Sequence, residues 1–436
     1  MGASFVTFIH AFSKFFTATP GGGCHYASLY INGLLSKLRR KNMERMEEHL
    51  PGIQYESMQY FLSEAGWDHA PLMAAITSSA SADFDSGEDF WFILDETCMA
   101  KKGSASAGVA RQWNGRLGKT ENSQVAVFGA LAQGTRCVPV GFRLYLPKEW
   151  TDDPARCEKA GIPESQRTFK TKAQLALELV LEARQRGARF RAVIVDGFYG
   201  QQTGLLRSLE DHGFEFLAEV HKDQRFTLSD RRLHPRSRVW RADEFAASLE
   251  ASDWKEVEVR DSTRGALRVK AHARRVWIGG KGVRARRWWL LLWRRADGKL
   301  KQSLSNAPET TPLGVLVRES CLRFWIEHAF REAKSEAGMA QYQVRGWLAW
   351  HHHMALCCLA LLFVHLQKKS LGKVAPLITA HDIVELLDHF LPKKKIDPEE
   401  VVKQMLERHR KRQAAIDGAR RKRPMRQRHL GMNPTK

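Results

Sequence analysis

Two short apolar runs that each end in aspartate constrain this chain most. Phe90-Trp91-Phe92-Ile93-Leu94 leads into Asp95, and Ala192-Val193-Ile194-Val195, preceded by Arg191, leads into Asp196. Runs of four or five apolar residues with no polar alternation are the mark of strands covered on both faces. Around them Gln124–Leu131 and Val138–Leu146 read as strands joined by a Gly-containing hairpin loop. Lys172–Arg186 reads as an amphipathic helix, Leu205–His212 as a second one, and Phe214–Val220 as a further strand. Three strands followed by helix, strand, helix and strand predict an α/β layer with Asp95 and Asp196 at strand ends, where such folds place their chemistry.

Outside this block the pattern changes. Residues 25–49 and Tyr55–Ile76 carry apolar residues at helical spacing, with a basic patch from Lys37 to Lys41, and the Ser/Ala/Asp/Gly-rich residues 78–88 read as a linker. From Lys222 to about Ser305 helical periodicity gives way to strand-like runs (Val257–Val259, Leu267–Ala271, Arg275–Ile278, Trp288–Trp293). Helix returns over Thr311–Glu336 and Trp347–Gln367. From Pro392 onward 15 Lys/Arg face 5 Asp/Glu, which predicts a solvated or disordered arm gripping nucleic acid without sequence preference.

Charge narrows the partner. Lys+Arg 69 against Asp+Glu 48 leaves a net +21, and a polyanion is the partner that rewards such an excess through counterion release. The seven cysteines, at 24, 98, 137, 157, 321, 357 and 358, are scattered and never spaced CxxC, so neither a disulfide framework nor a zinc site is expected. MGASFVTFIHAFSKFF lacks the basic start and cleavage site of a signal peptide, and the apolar run Met354–Val364 is too short to span a bilayer. A cytoplasmic, nucleoid-associated protein with no membrane partner is expected. Gly118-Lys119-Thr120 imitates a nucleotide-binding loop, but position 113 is Trp where a P-loop needs Gly, so no nucleotide cofactor is expected. His351-His352-His353 cannot chelate together, because consecutive helical residues point about 100° apart. Asp83, Asp85, Glu88, Asp152 and Asp153 read as solvated loop carboxylates.

The segment Ser320–Lys334 carries the third acid. Arg323, Glu327, Arg331 and Lys334 share one helical face, while Leu322, Trp325, Ile326 and Phe330 form the packing face. Periodicity alone favours a surface salt-bridge ladder. The spacing R-x3-E-x6-K, however, resembles the signature of bacterial insertion-sequence DDE transposases of the family-four superfamily, with Ser320 where that pattern has Tyr. Asp95-Glu96-Thr97 resembles the family's D-x-T, and Asp196-Gly197-Phe198-Tyr199-Gly200 its second-Asp motif. KKG (Lys101 to Gly103), LYLPKEWTDDPARCEKAGIP and YQVRGWLAWHHHM agree in collinear order, closest to a 701-like subgroup.

The resemblance implies a fold and an activity. The fold is α/β: a ribonuclease-H-like core over 86–222 and 306–370, a β-rich insertion over 223–305, a helical DNA-end-binding domain over 1–85, and a helical, basic tail over 371–436. The activity is cleavage at an element's terminal inverted repeats and joining of the 3′-OH ends to target DNA. Asp95, Asp196 and Glu327 would be the catalytic residues and hold two Mg²⁺, with Mn²⁺ able to substitute; phosphodiester transfer by two metals needs such hard oxygen ligands. Arg323, Lys334, Lys101 and Lys102 would contact DNA, and Trp288, Trp289 and Trp293, set among arginines, are candidates for stacking a flipped base. Double-stranded DNA and a second copy of the chain, as a homodimer in the DNA complex, are the implied partners. Two other readings stay open: a catalytically silent DNA-binding descendant of such an enzyme, and a host nuclease on the same core.

Overall fold

The computed structural model describes residues 1–429 apart from 18, 20, 21, 86, 116, 233, 261–264, 281, 282 and 296. Its N-terminal part is helical: α1 (Gly2–Ala11), α2 (Gly23–Leu34), α3 (Met43–His49), α4 (Tyr55–Ser63) and α5 (His69–Phe84). The continuous helix read over residues 25–49 is broken at Leu35. The basic patch falls in the intervening loop, and the Asn42 side chain caps α3 by accepting from Arg45 N. The linker read over 78–88 is in its first half the end of α5. Leu72, Met73, Ile76, Ala80 and Phe84, three to four residues apart, are buried there. Asp83 is accordingly no solvated loop acid. It accepts from His365 Nε2 at 2.9 Å, Lys369 Nζ at 2.8 Å and Arg136 Nη1 at 3.2 Å.

The strands follow. β1 (Trp91–Ala100), β2 (Ala110–Asn114), β3 (Lys119–Gln133) and β4 (Arg136–Leu144) form an antiparallel group, with the Gly-Lys-Thr segment at the turn between β2 and β3. Short helices α6 (Lys148–Thr151) and α7 (Pro154–Lys159) lead to α8 (Lys172–Gln185), whose start is fixed by a reciprocal capping box between Thr171 and Gln174. Then come β5 (Ala192–Val195), α9 (Gly197–Gly200), α10 (Thr203–Asp211) and β6 (Glu215–Glu219). β1, β5 and β6 run parallel, the crossovers being made through helices.

Residues 223–305 are β-rich as expected: β7 (Arg225–Thr227), β8 (Val239–Arg241), β9 (Lys255–Arg260), β10 (Leu267–Gly280), β11 (Val283–Arg294) and β12 (Leu300–Ser305), with one short helix, α11 (Ala242–Ala247). Because β12 pairs with β6, all twelve strands join one mixed sheet of order β2-β3-β1-β5-β6-β12-β11-β10-β7-β8; β4 pairs β3 and β9 pairs β10 off that path.

The helix expected over Thr311–Glu336 is interrupted. α12 (Leu313–Leu322) and α13 (Phe324–Ser335) meet at Arg323, which keeps helical angles (φ −52°, ψ −33°). α14 (Trp347–Leu371) is longer than its apolar run suggests. By length and composition it could cross a membrane, yet 89% of its most apolar stretch is buried inside the protein. It is the core helix on which α2, α4, α5 and β4 pack. All three consecutive histidines are buried there: His352 lies stacked on Trp67 at 3.7 Å, and His353 Nδ1 is 2.8 Å from the Tyr30 hydroxyl. One hydrophobic cluster runs from Phe5 to Leu387 and includes both the N-terminal helices and the sheet.

α15 (Ala380–Phe390) and α16 (Pro398–His429) complete the chain. Most of the tail is thus helix rather than an unstructured arm. Arg408 of α16 pairs with Glu48 at 3.0 Å, and Gln404 donates to Glu48 O at 3.3 Å, docking the helix on α3. Residues 430–436 of that tail lie outside the described residues.

Candidate active site

Strand register brings the first two acids together. Leu94 pairs with Val195 in the parallel β1–β5 ladder, so Asp95 and Asp196 stand side by side one residue further on. The next ladder does the same for a third acid: Val195 pairs with Ala218, which sets Glu219 beside Asp196. Glu327 reaches the same corner from the first turn of α13.

Arg323 lies among them. Its Nη1 is 2.6 Å from Glu327 Oε1 and 3.8 Å from Asp95 Oδ2, while its Nε is 3.2 Å from Glu219 Oε2. Lys301 of β12 also holds Glu219. Asp95 Oδ1 accepts the Glu96 N–H at 2.6 Å, and Asp196 Oδ1 accepts from Phe198 N and Tyr199 N at 3.0 and 3.1 Å.

The electrostatics follow from this crowding. Asp95 is 8% exposed; burial first, then the charge of Asp196, push its carboxyl from 3.8 to about 7 against the pull of Arg323. Burial also raises Asp196, though its two backbone hydrogen bonds and Arg323 oppose that. Burial works against the charge on Arg323, but Glu327, Glu219 and Asp95 together outweigh it and hold its proton more firmly than usual. The Tyr199 hydroxyl is buried close by with no hydrogen-bond partner among the described residues.

An acid-rich corner with one guanidinium has more negative than positive charge, and its donors are all oxygens. That is the chemistry of a hard divalent cation site. Among the described residues no three Asp, Glu, His or Cys side chains converge closely enough to hold an ion. In this corner Arg323 occupies the space between Asp95 and Glu327. The corner opens onto a cleft of about 690 Å³ whose walls carry Arg260, Arg295, Lys299, Lys301 and Arg318, and Arg191 paired with Asp89 and Glu319. Such a lining suits a polyanion.

The other residues picked out by sequence are placed variously. Lys334 Nζ donates to Thr97 Oγ1 at 2.6 Å, two residues along β1 from Asp95 and therefore on the same face of the strand. Lys101 turns inward: its ammonium lies 3.1 Å from the centre of the Tyr342 ring, and burial lowers its pKa to about 7. Lys102 is exposed. Trp288 is fully buried and donates to Glu210 Oε1 at 2.9 Å, Trp289 is half-buried and donates to Pro308 O, and Trp293 is 4% exposed. All three pack within the sheet's cores. Glu219 and Lys301 were not singled out by sequence, and Tyr199 only as part of the second-Asp motif. The signal for Glu219 was available, since Phe214–Val220 is another short apolar strand carrying an acid near its end.

Residues 23–276 match the family model described as DDE superfamily endonuclease. That span holds Asp95 and Asp196 and ends ahead of Glu327. A curated relative, the probable transposase for insertion sequence element IS701 of Microchaete diplosiphon, is 23% identical over 316 residues, covering 72% of this chain and 74% of the relative. Among solved structures, the NurA nuclease of Sulfolobus solfataricus aligns over 67% of this chain and 87% of its own with 8% identity and a TM-score of 0.23, a likeness that bears on neither fold nor function.

Proposed function

The chain belongs to the DDE superfamily endonucleases, and from that membership we propose that it is a transposase that cleaves DNA at an element's terminal inverted repeats and joins the freed 3′-OH ends to target DNA. One observation carries the reading. Two strand-end aspartates stand side by side, and a glutamate from a distant helix shares one guanidinium with the first of them. Four antiparallel strands, β1 to β4, followed by two that run parallel to β1, with helices in the crossovers, support a ribonuclease-H-like core beneath them.

In this reading Asp95, Asp196 and Glu327 would hold the divalent cation, Mg²⁺, with two ions per site. When bound, these supply Lewis-acid stabilisation to the attacking and leaving oxygens at phosphorus. The protein's own groups do the remaining work. Backbone N–H groups fix the Asp196 carboxylate, and the Glu96 N–H fixes that of Asp95, so both are aimed before substrate arrives. Lys334, on the strand face of Asp95, and Arg323, which lines the cleft, would take phosphates flanking the scissile bond. The cationic walls of the cleft would track the DNA backbone and make binding steeply salt-dependent. A dimer holding two DNA ends is part of the proposal, as the family resemblance implies.

The test uses purified full-length protein, Mg²⁺ and DNA carrying the inverted repeats that flank the gene. Cutting and joining are expected from the wild type. Asp95→Ala, Asp196→Ala and Glu327→Ala should each lose cutting by about a thousandfold or more while still binding DNA. Full cutting by any of the three removes that carboxylate from the site, and cutting without joining replaces the transposase by a nuclease.

A further inference from the structure

Arg323 engages two classes of partner with two edges of one planar group. The Nη1 edge faces Glu327 and Asp95, which the proposed function assigns to the cation. The Nε edge faces Glu219, which belongs to no sequence motif. A guanidinium offers several donors in a rigid fork, so it can release one edge while the other stays attached.

Arg323 is the helical residue at which α12 and α13 meet, and its side chain lines the cleft and is 22% exposed. Glu219, in contrast, is fixed. It sits in register with Ser303 of β12, Lys301 grips its carboxylate, and Gly200 packs so tightly on its carbonyl that a Cβ there would lie 1.9 Å from the oxygen.

A cation bonded to the near oxygen of Asp95 would lie within about 6 Å of Nη1, given Mg²⁺–oxygen bonds of about 2.1 Å. Charges of like sign at that distance repel, and both would draw on Glu327. Resting on the proposed function, we propose that Arg323 is the internal counter-ion that stands in for the divalent cation in the metal-free protein, and that Glu219 is the positioning residue that keeps Arg323 tethered when the cation displaces it. Loading the metal then swings the Nη edge off the carboxylates and into the cleft, where it is free to take a DNA phosphate. Metal binding and the grip on DNA are thereby coupled.

The experiment is titration of Mn²⁺ into metal-free full-length protein, followed by calorimetry, with thermal melts run alongside. R323Q should bind Mn²⁺ roughly tenfold more tightly than wild type, because the competing cation is gone. E219Q should bind it roughly tenfold more weakly, because Arg323 then has only the ligand carboxylates to pair with. Mn²⁺ should also raise the melting temperature of R323Q by more than it raises that of the wild type; a merely structural arginine would leave the two increments equal. Should R323Q not fold without metal, R323M keeps the apolar stem but not the charge, and its Mn²⁺ affinity should again exceed that of wild type. Unchanged or weaker binding by R323Q or R323M, or unchanged binding by E219Q, overturns the counter-ion proposal. Wild-type protein that binds no Mn²⁺, or D95N that binds it as well as wild type, overturns the metal site itself and with it the proposed function.

Discussion

Replacing Asp95 by Asn should make the metal-free protein more stable at pH 8 even as it removes strand cleavage. The unfolded chain releases the Asp95 proton near its ordinary value of 3.8, the folded one near 7, so between those values the folded state holds more protons. The stability this group allows is therefore fully present below about pH 4 and is lost as pH climbs through 7. At 1.36 kcal/mol per pH unit, the interval from 3.8 to about 7 amounts to about 4 kcal/mol by pH 8. Asn has nearly the same shape, can still accept the Glu96 N–H, and carries no charge to bury beside Asp196. With an unfolding entropy of about 2.1 cal/mol/K per residue, a chain of 436 residues gains about 4 °C in melting temperature from that change. The assay is thermal unfolding of wild type and D95N in EDTA at pH 8 and pH 5. A D95N protein that melts at or below wild type at pH 8, or a gap that does not shrink by more than half at pH 5, would refute the buried-charge reasoning.

Three further perturbations follow from other parts of the structure. Asp83→Asn should destabilise the protein by about 2 kcal/mol at neutral pH, measured by urea unfolding. Asp83 is mostly buried, and although burial alone would raise its carboxyl, His365 and Lys369 hold it at about 2. The stability it contributes is present above about pH 4 and is lost as pH falls toward 2. Gly200→Ala should lower stability by about 2 kcal/mol or more and depress cleavage, because the added methyl meets the Glu219 carbonyl; wild-type unfolding and activity would show that the strand end yields freely. Removing residues 392–436 should weaken DNA binding about equally on specific and random sequences and flatten its salt dependence, as read by fluorescence anisotropy over a salt series; a change in which sequence is preferred would mean that α16 reads bases.

The parts of the fold that were legible are those whose local pattern and tertiary setting agree. Ala192–Val195 is an unbroken apolar run and is buried at every position as a central strand between β1 and β6, and Lys172–Gln185 carries its own cap. The parts that misled are those where a neighbour overrides composition. Residues 78–84 look like a linker by their Ser and Ala content, yet small residues are what let α5 lie close on β4 and α14, where the Thr77 hydroxyl reaches the Val140 carbonyl at 3.1 Å. Asp83 looks solvated because its three partners, Arg136, His365 and Lys369, come from β4 and α14, none of them near it in sequence. The basic tail looks unstructured until Glu48 of α3 gives Arg408 a partner.

The candidate site divides along the same line. Arg323 and Glu327, four residues apart, are indistinguishable from a surface ion pair until something is known to lie across from them. What lies across is Asp95, Asp196 and Glu219, delivered by the strand order β1-β5-β6, which no local pattern encodes. Their assembly is also the strongest physical argument for function. Burial first, and neighbouring carboxylates after it, raise the proton affinity of Asp95 and Asp196, and Arg323 and Lys301 are fewer than the four carboxylates they face. A corner selected for stability alone would place an apolar residue at position 95, where Asp95 is nearly as buried as its core neighbours Leu94 and Phe92. A shortfall of positive charge held in place by two parallel ladders is instead what the proposed cation site requires.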